Sequence, residues 1–151
     1  MKDSVKLENF SELVIDETKQ KKCERVVVLA VDQSIHSKNA VNWAIKNLIH
    51  PETDQVILLY VRPDLRGGIL SEERSKKDAE ELIKGYSSIL SERNIMFKGY
   101  VVVGDAREMI VKKVEEFKGD ILVMGSRGVG FLNRVILGST SDYCVHNCNC
   151  S

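Results

Sequence analysis

The sequence predicts one α/β domain with a doubly wound, Rossmann-like parallel sheet and helices on both faces. Short runs of consecutive apolar residues, typical of strands covered on both faces, alternate with segments whose apolar residues recur every three or four positions. Because a strand, a helix and a second strand normally form a right-handed crossover, these strands are expected to be parallel. The length of 151 residues is ordinary for one domain with its own core.

The elements can be placed in order along the chain. Ser37 is predicted to cap the first helix, and His50-Pro51 to end it. The predicted order is a strand at 26–31, a helix from 37, a strand at 56–61, a helix from 71 to 90, a strand at 96–103, a helix at 106–117, a strand at 120–124 and a helix from 138 or 139. Residues 1–24 are predicted to be an N-terminal extension, either flexible or packed against the domain formed by residues 25–151.

Composition and charge exclude several classes of function. Lys and Arg total 22, as do Asp and Glu, so the formal net charge is zero, which argues against non-specific binding to nucleic acid or anionic membranes. No apolar run reaches the roughly 18–20 residues of a membrane span. The polar N-terminus does not resemble a secretory signal, so we expect a cytoplasmic or nucleocytoplasmic protein.

The four cysteines predict neither a disulfide framework nor a zinc site. Cys144, Cys148 and Cys150 lie close together, but their C-x3-C-x-C spacing lacks the paired C-x2-C units of structural zinc sites. We therefore interpret them, with Cys23, as structural residues and predict no metal ligands in the protein.

Two glycine-containing segments near the C-terminus point to phosphate binding. Gly125-Ser-Arg-Gly128 follows an apolar strand, and Gly138-Ser-Thr-Ser141 has the composition of a helix start. Glycine at a strand end allows close approach of the backbone to a bound group. The free N–H groups and dipole of a helix N-terminus favour an anion. Together they predict a nucleotide-phosphate site.

The same edge of the predicted sheet carries other polar positions. Asp32 follows the first predicted strand, and Val61-Arg62 closes the second. Ligands of parallel sheets bind beyond the carboxyl ends of the strands, so these positions are expected to meet the Gly125 loop in one crevice. For Asp32 the alternative is to cap the next helix or to accept N–H bonds within its loop, and for the glycines it is a turn role alone. For Arg127 the alternative is a solvated charge, and for Ser139 and Ser141 it is simple helix capping.

Five stretches of the chain resemble the universal stress protein family. Gly125, Gly128, Gly138 and Ser139 also satisfy the G-x2-G-x9-G-[ST] signature of that family's ATP-binding branch. A short glycine motif is weak evidence alone, but here it stands in a strand–loop–helix context with four other matches. The five stretches are 26–32, 40–44, 104–110, 120–128 and 135–142.

The resemblance implies ATP, with Mg²⁺, as the ligand. It implies that Asp32 reaches the adenosine end, that the Val61 backbone meets adenine, and that the two glycine segments line the ribose and phosphates. The implied ligand-binding residues are Ala30, Val31, Asp32, Val61, Met124, Gly125, Arg127, Gly128, Gly138, Ser139, Thr140 and Ser141.

The resemblance also implies a nucleotide-dependent sensor or adaptor in stress response, acting as a homodimer with an unknown protein partner. The family normally has a fifth parallel strand after the last helix, and this sequence ends at Ser151 where that strand would begin. We predict no catalytic residues, since there is no P-loop and no evident base to activate water. Two alternatives stay open: an association-only stress protein without ATP, and a slow ATP hydrolase or autophosphorylating protein.

Overall fold

Within the part of the chain that the structure describes, a six-stranded sheet has helices on both faces. The computed structural model describes residues 5–7, 13–16, 23–64, 69–126 and 137–151. The elements are β1 (Val5–Leu7), β2 (Leu13–Asp16), β3 (Arg25–Ala30), α1 (Ile35–Asn47), β4 (Asp54–Arg62), α2 (Ile69–Glu92), β5 (Phe97–Val103), α3 (Ala106–Glu116), β6 (Ile121–Met124) and α4 (Ser139–Asn147). The α/β alternation predicted from the sequence is confirmed.

The sheet has the order β1-β2-β5-β4-β3-β6. The four strands from β5 to β6 are parallel, as predicted, with Val28 opposite both Ile57 of β4 and Leu122 of β6. The chain proceeds from β3 outward to β4 and β5, then crosses back to place β6 on the other side of β3. The order therefore reverses between β3 and β6, which is the switch point where open α/β sheets bind ligands.

The N-terminal extension contributes two antiparallel strands to this sheet. β2 pairs with β5, with Leu13 opposite Val101, and β1 pairs with β2, with Val5 opposite Ile15. These strands lie at the edge farthest from β6, so the described part of the extension is remote from the switch point.

The core has two layers because alternate residues of β3 face opposite sides of the sheet. Val27 and Leu29 pack with α1 and α2 on one side, and Val28 and Ala30 pack with α3 and α4 on the other. Val27, Val28 and Leu29 are fully buried, which explains why β3 appears in the sequence as an unbroken apolar run.

The first helix begins earlier than predicted. α1 starts at Ile35, and Ser34 is its N-cap, with Oγ accepting the N–H of Ser37 at 3.1 Å. Ser37, the predicted cap, lies in the first turn with its side chain buried. Both serines satisfy the residue preference for a cap, and burial of Ser37 under α2 decides between them.

The outer edge of β6 is paired at Ser151. The Ser151 N–H donates to the carbonyl of Asp120 at 3.2 Å, and the Ser151 carbonyl accepts the N–H of Leu122 at 2.8 Å. This is the bond pattern of a parallel ladder. Among the described residues, no strand follows α4. None of the helices in the described ranges has the length and hydropathy needed to cross a membrane.

Candidate nucleotide site at the switch point

A cavity of about 310 Å³ opens at the carboxyl ends of β3, β4 and β6, beside the N-terminus of α4. The structure brings ten of the predicted ligand-binding residues together around it: Ala30, Val31, Asp32, Val61, Met124, Gly125, Gly138, Ser139, Thr140 and Ser141. The other two, Arg127 and Gly128, lie outside the described residues. The volume lies at the lower end of the range for small-molecule sites, which is roughly 300–1,000 Å³.

Asp32 forms a tight turn between β3 and α1. One carboxylate oxygen, Oδ1, accepts the N–H of Ser34 at 2.7 Å, and the Asp32 N–H donates to Ser37 Oγ at 3.0 Å. The aspartate therefore has the local turn-forming role given above as the alternative to ligand binding. It also lines the cavity, so the two roles are compatible.

Gly125 lies where the end of β6 meets the start of α1. A Cβ atom at this position would lie 2.8 Å from both the His36 carbonyl carbon and the Ser37 nitrogen. Ordinary carbon contacts are roughly 3.5–4.0 Å, so no side chain fits without moving backbone. Glycine is thus required here by packing, whether or not a ligand is present.

The loop after β6 is tied to the start of α4 through Ser126. Its carbonyl accepts the Gly138 N–H at 2.6 Å and lies 2.9 Å from the hydroxyl oxygen of Ser141. The Ser141 hydroxyl is also 3.0 Å from the Gly138 carbonyl, so these two acceptors share its single proton. The Gly138 N–H and the Ser141 hydroxyl are therefore engaged within the chain.

The N-terminus of α4 differs from those of α1 and α3. Asp105 caps α3, its Oδ1 accepting the N–H groups of Arg107 and Glu108 at 3.1 and 3.2 Å; the Glu108 bond is the largest of the contributions that lower the Asp105 pKa. The N-cap of α4 is Gly138, and within the described part of the chain no side chain caps this helix. Its first turn, with Ser139 exposed and Thr140 half-buried, faces the cavity with its N–H groups directed outward.

The Arg62 cation, in contrast, is committed to another element. Its guanidinium is buried, forms an ion pair with Glu72 in the first turn of α2, and lies 3.5 Å from Ser75 Oγ. The bond from Arg62 lowers the pKa of Glu72. Arg62 therefore anchors α2 to the end of β4, while Val61 remains in the cavity wall.

The cysteines of α4 belong to the core on the α3 side of the sheet. Cys144 is buried, and Cys148 and Cys150 pack against the same cluster. Burial, with lesser contributions from Cys148 and Cys150, raises the pKa of Cys144 to about 12, so its thiol stays protonated at neutral pH. No group of three or more His, Cys, Asp or Glu residues suited to a metal ion occurs among the residues that the structure describes.

Four further residues of the cavity wall are not among those predicted from the sequence: Ser37, Leu59, Ala106 and Ile110. Ile110 lies in the helix predicted at 106–117 and Leu59 in the strand predicted at 56–61, where an apolar residue indicates a core position. Nothing in the sequence distinguishes a core position from one at the floor of a cavity, because both require apolar side chains.

Comparison with known proteins gives the same assignment. The model of the universal stress protein family matches residues 24–151. The chain belongs to this family. Universal stress protein PHOS32 of Arabidopsis thaliana is 31% identical in an alignment 151 residues long, which covers 83% of this chain. Our universal stress protein spans 62% of the length of PHOS32.

Solved structures share the fold. A universal stress protein family protein from Arabidopsis thaliana, crystallised with AMP bound, superposes with a TM-score of 0.65 at 21% identity, covering 83% of this chain and 87% of the other. A universal stress protein in complex with cAMP superposes with a TM-score of 0.66 at 18% identity, covering 84% and 93%. At these identities the likeness establishes the fold of this universal stress protein.

Proposed function

We propose that this universal stress protein binds an adenine nucleotide, ATP with Mg²⁺, in the switch-point cavity, and that it acts as a nucleotide-dependent sensor or adaptor in stress response. The observation that carries the proposal is the N-terminus of α4, which no described side chain caps, at a cavity lined by the carboxyl ends of β3, β4 and β6. The AMP and cAMP in the two related structures support adenine nucleotides as the ligand class.

The phosphates would lie at the start of α4. The first-turn N–H groups at Ser139 and Thr140 have no side-chain cap among the described residues, and the helix dipole favours an anion there. The Gly138 N–H and the Ser141 hydroxyl, already bonded to carbonyls, would hold the turn in place and not contact phosphate themselves.

The nucleoside would lie at the opposite side of the cavity, near Asp32 and Val61. A carboxylate at Asp32 repels phosphate, and it can accept hydrogen bonds from ribose hydroxyls or an exocyclic amine. The cavity wall also includes the apolar residues Ala30, Leu59 and Ile110, which are suited to the face of a purine ring.

Mg²⁺ would be held mainly by phosphate oxygens and water. The described residues provide no cluster of three or more ionisable metal ligands, and Mg²⁺ in nucleotide sites commonly keeps several waters. When bound, the ion would neutralise part of the phosphate charge beside the first turn of α4.

Isothermal titration calorimetry with AMP, and with ATP plus Mg²⁺, tests the proposal. The informative variant is Ser139→Asp, with Ser139→Asn as its matched control. An aspartate in the first turn is favourable to the helix dipole, so the fold is retained, but its charge would repel phosphate. We expect Ser139→Asp to weaken AMP binding about tenfold or more and Ser139→Asn to change it by less than about threefold, since only the former adds charge.

Binding of adenosine provides the internal control. Adenosine lacks phosphate, so its affinity should be the same for both variants and the wild-type protein. Absence of AMP and ATP binding by the folded wild-type protein would refute the proposal. Equal loss of adenosine and AMP binding in Ser139→Asp would place the phosphate elsewhere.

A further inference from the structure

The turn that contains Asp32 is held from outside the cavity by a tyrosine of α2. The Tyr86 hydroxyl lies 3.0 Å from Ser37 Oγ and 3.3 Å from the carbonyl oxygen of Asp32. Ser37 Oγ in turn accepts the Asp32 N–H at 3.0 Å. Asp32 and Ser37 line the cavity. Tyr86 lines an adjoining groove between α1 and α2, whose wall also includes Asp32.

The Asp32 backbone, the Ser37 hydroxyl and the Tyr86 hydroxyl lie close enough for a closed hydrogen-bonded network. Each of the Asp32 amide, the Ser37 hydroxyl and the Tyr86 hydroxyl has one proton, and the acceptors are Ser37 Oγ, Tyr86 Oη and the Asp32 carbonyl. In one arrangement the amide donates to Ser37, Ser37 to Tyr86, and Tyr86 to the Asp32 carbonyl, so every proton has an acceptor. If Tyr86 instead donates to Ser37, the serine proton is free for another acceptor.

Burial makes this network strong and specific. Ser37 and Tyr86 are buried, and removing one partner leaves the other polar groups without compensation from water. Burial raises the pKa of Tyr86, so the phenol remains a neutral donor across the physiological range. The separation along the chain is 54 residues between Asp32 and Tyr86, so the contact fixes the turn relative to α2.

We propose that Tyr86 is a positioning residue for the nucleotide site, acting through Ser37 and the backbone of Asp32. The inference rests on the proposed function, since it concerns the same cavity. Tyr86 does not line the cavity; it holds the Asp32 turn in the conformation that presents the carboxylate to the nucleoside. Loss of the phenol hydroxyl should therefore weaken nucleotide binding from a position outside the site.

The test is a double-mutant cycle on AMP affinity, measured by calorimetry. Tyr86→Phe and Ser37→Ala should each raise the Kd for AMP about two- to tenfold, the range for one buried hydrogen bond. Because both substitutions break the same network, the Kd of the double variant for AMP should be no more than about twofold higher than that of the single variant that binds AMP more weakly. The matched control is Tyr60→Phe, which also deletes one tyrosine hydroxyl. That hydroxyl accepts a hydrogen bond from Gln33 Nε2 at 3.1 Å. Gln33 follows Asp32 in the chain, but neither Gln33 nor Tyr60 lines the cavity.

Each outcome decides the inference. Weaker binding in both single variants, non-additivity in the double variant and an unchanged Kd in Tyr60→Phe support it. An unchanged Kd in folded Tyr86→Phe, additive effects, or an equal loss in Tyr60→Phe overturns it while leaving nucleotide binding intact. Failure of the wild-type protein to bind AMP overturns both proposals. Thermal denaturation of each variant verifies the fold. If Tyr86→Phe does not fold, Tyr86→His, which keeps a ring and a donor but lacks the phenol hydroxyl, takes its place in the cycle with the same expected result.

Discussion

Adding one methyl group at two different glycines should change stability in opposite directions. The perturbation is Gly125→Ala at the end of β6, compared with Gly85→Ala on α2. At Gly125 the new Cβ would lie 2.8 Å from two backbone atoms of α1, whereas at Gly85 nothing lies within 4 Å. Both substitutions add the same atoms, so the difference between them reports packing at Gly125.

The magnitude follows from what must move. Relief of the Gly125 contact requires a displacement of about 0.7 Å to reach an ordinary carbon separation of about 3.5 Å. The obstructing atoms are the His36 carbonyl carbon and the Ser37 nitrogen, and Ser37 N–H is bound to the Ser34 cap at 3.1 Å, so the helix start resists the shift. Overpacking of this kind costs about 1–3 kcal/mol.

For Gly85 the sign is reversed. Alanine in a helix interior is favoured over glycine by about 0.5–1 kcal/mol, because the unfolded chain loses freedom and the folded helix loses none. In a chain of this length 1 kcal/mol shifts Tm by about 2–4 °C. We therefore expect Gly125→Ala to lower Tm by about 2–12 °C and Gly85→Ala to raise it by about 1–4 °C.

Thermal and urea denaturation followed by far-UV circular dichroism measure both effects. The urea midpoint should move with Tm in each variant while the m-value stays constant, since the same surface is exposed on unfolding. A Gly125→Ala protein as stable as the wild type would refute the reasoning, because it would mean that α1 and β6 do not approach as closely as the structure shows.

Two further predictions concern charge and reactivity. Burial opposes ionisation of Asp54, but hydrogen bonds from Arg25 and from the His50 N–H outweigh it, so the pKa of Asp54 is lowered. The ionised Asp54 therefore stabilises the fold fully above the unfolded pKa near 4, and this stabilisation is lost as pH falls through the folded pKa. At pH 7, Asp54→Asn should lower the free energy of unfolding by about 1.5–3 kcal/mol. In urea denaturation it should also weaken the loss of stability at acidic pH, and an unchanged loss of stability there would contradict this. In labelling with a thiol reagent at pH 8, the exposed Cys23 should react first. Cys144 is buried and its pKa is raised to about 12, so it should react only when the protein unfolds. Mass spectrometry that finds Cys144 labelled as fast as Cys23 in the native protein would contradict its burial.

The order of helices and strands could be predicted because it depends on periodicity. β3 and β4 are covered on both faces, so each contains a run of consecutive apolar residues. These runs are too short to be helices. The cap of α1 could be predicted less well from the sequence. Ser34 and Ser37 are equally suitable caps by residue type, and they differ only in what packs over them. The strands within residues 1–24 also escaped prediction, because three or four residues show too little periodicity without the neighbouring edge of β5.

The candidate site divides in the same way. The sequence indicated the glycine segments and Asp32, because backbone approach and helix starts need particular residue types. It did not indicate Tyr86, which appears in the sequence as one more apolar position on the buried stripe of α2; its hydroxyl reaches Asp32 only in the folded chain. Nor did it indicate that the Gly138 N–H and the Ser141 hydroxyl are bonded internally, which is why the proposed phosphate contacts are assigned to the first-turn N–H groups of Ser139 and Thr140.

By itself, the sequence determined the fold class, the parallel sheet and the edge of that sheet where the candidate site lies, because these follow from local patterns of apolar and turn-forming residues. The tertiary structure alone decided which donors are free at that edge and which are already bonded. Hydrogen-bond partners such as Asp32 and Tyr86 are separated by 54 residues along the chain. Local residue preferences carry no information about such contacts. The packing of α2 on β4 and β5 brings the Tyr86 hydroxyl within 3.3 Å of the Asp32 carbonyl oxygen.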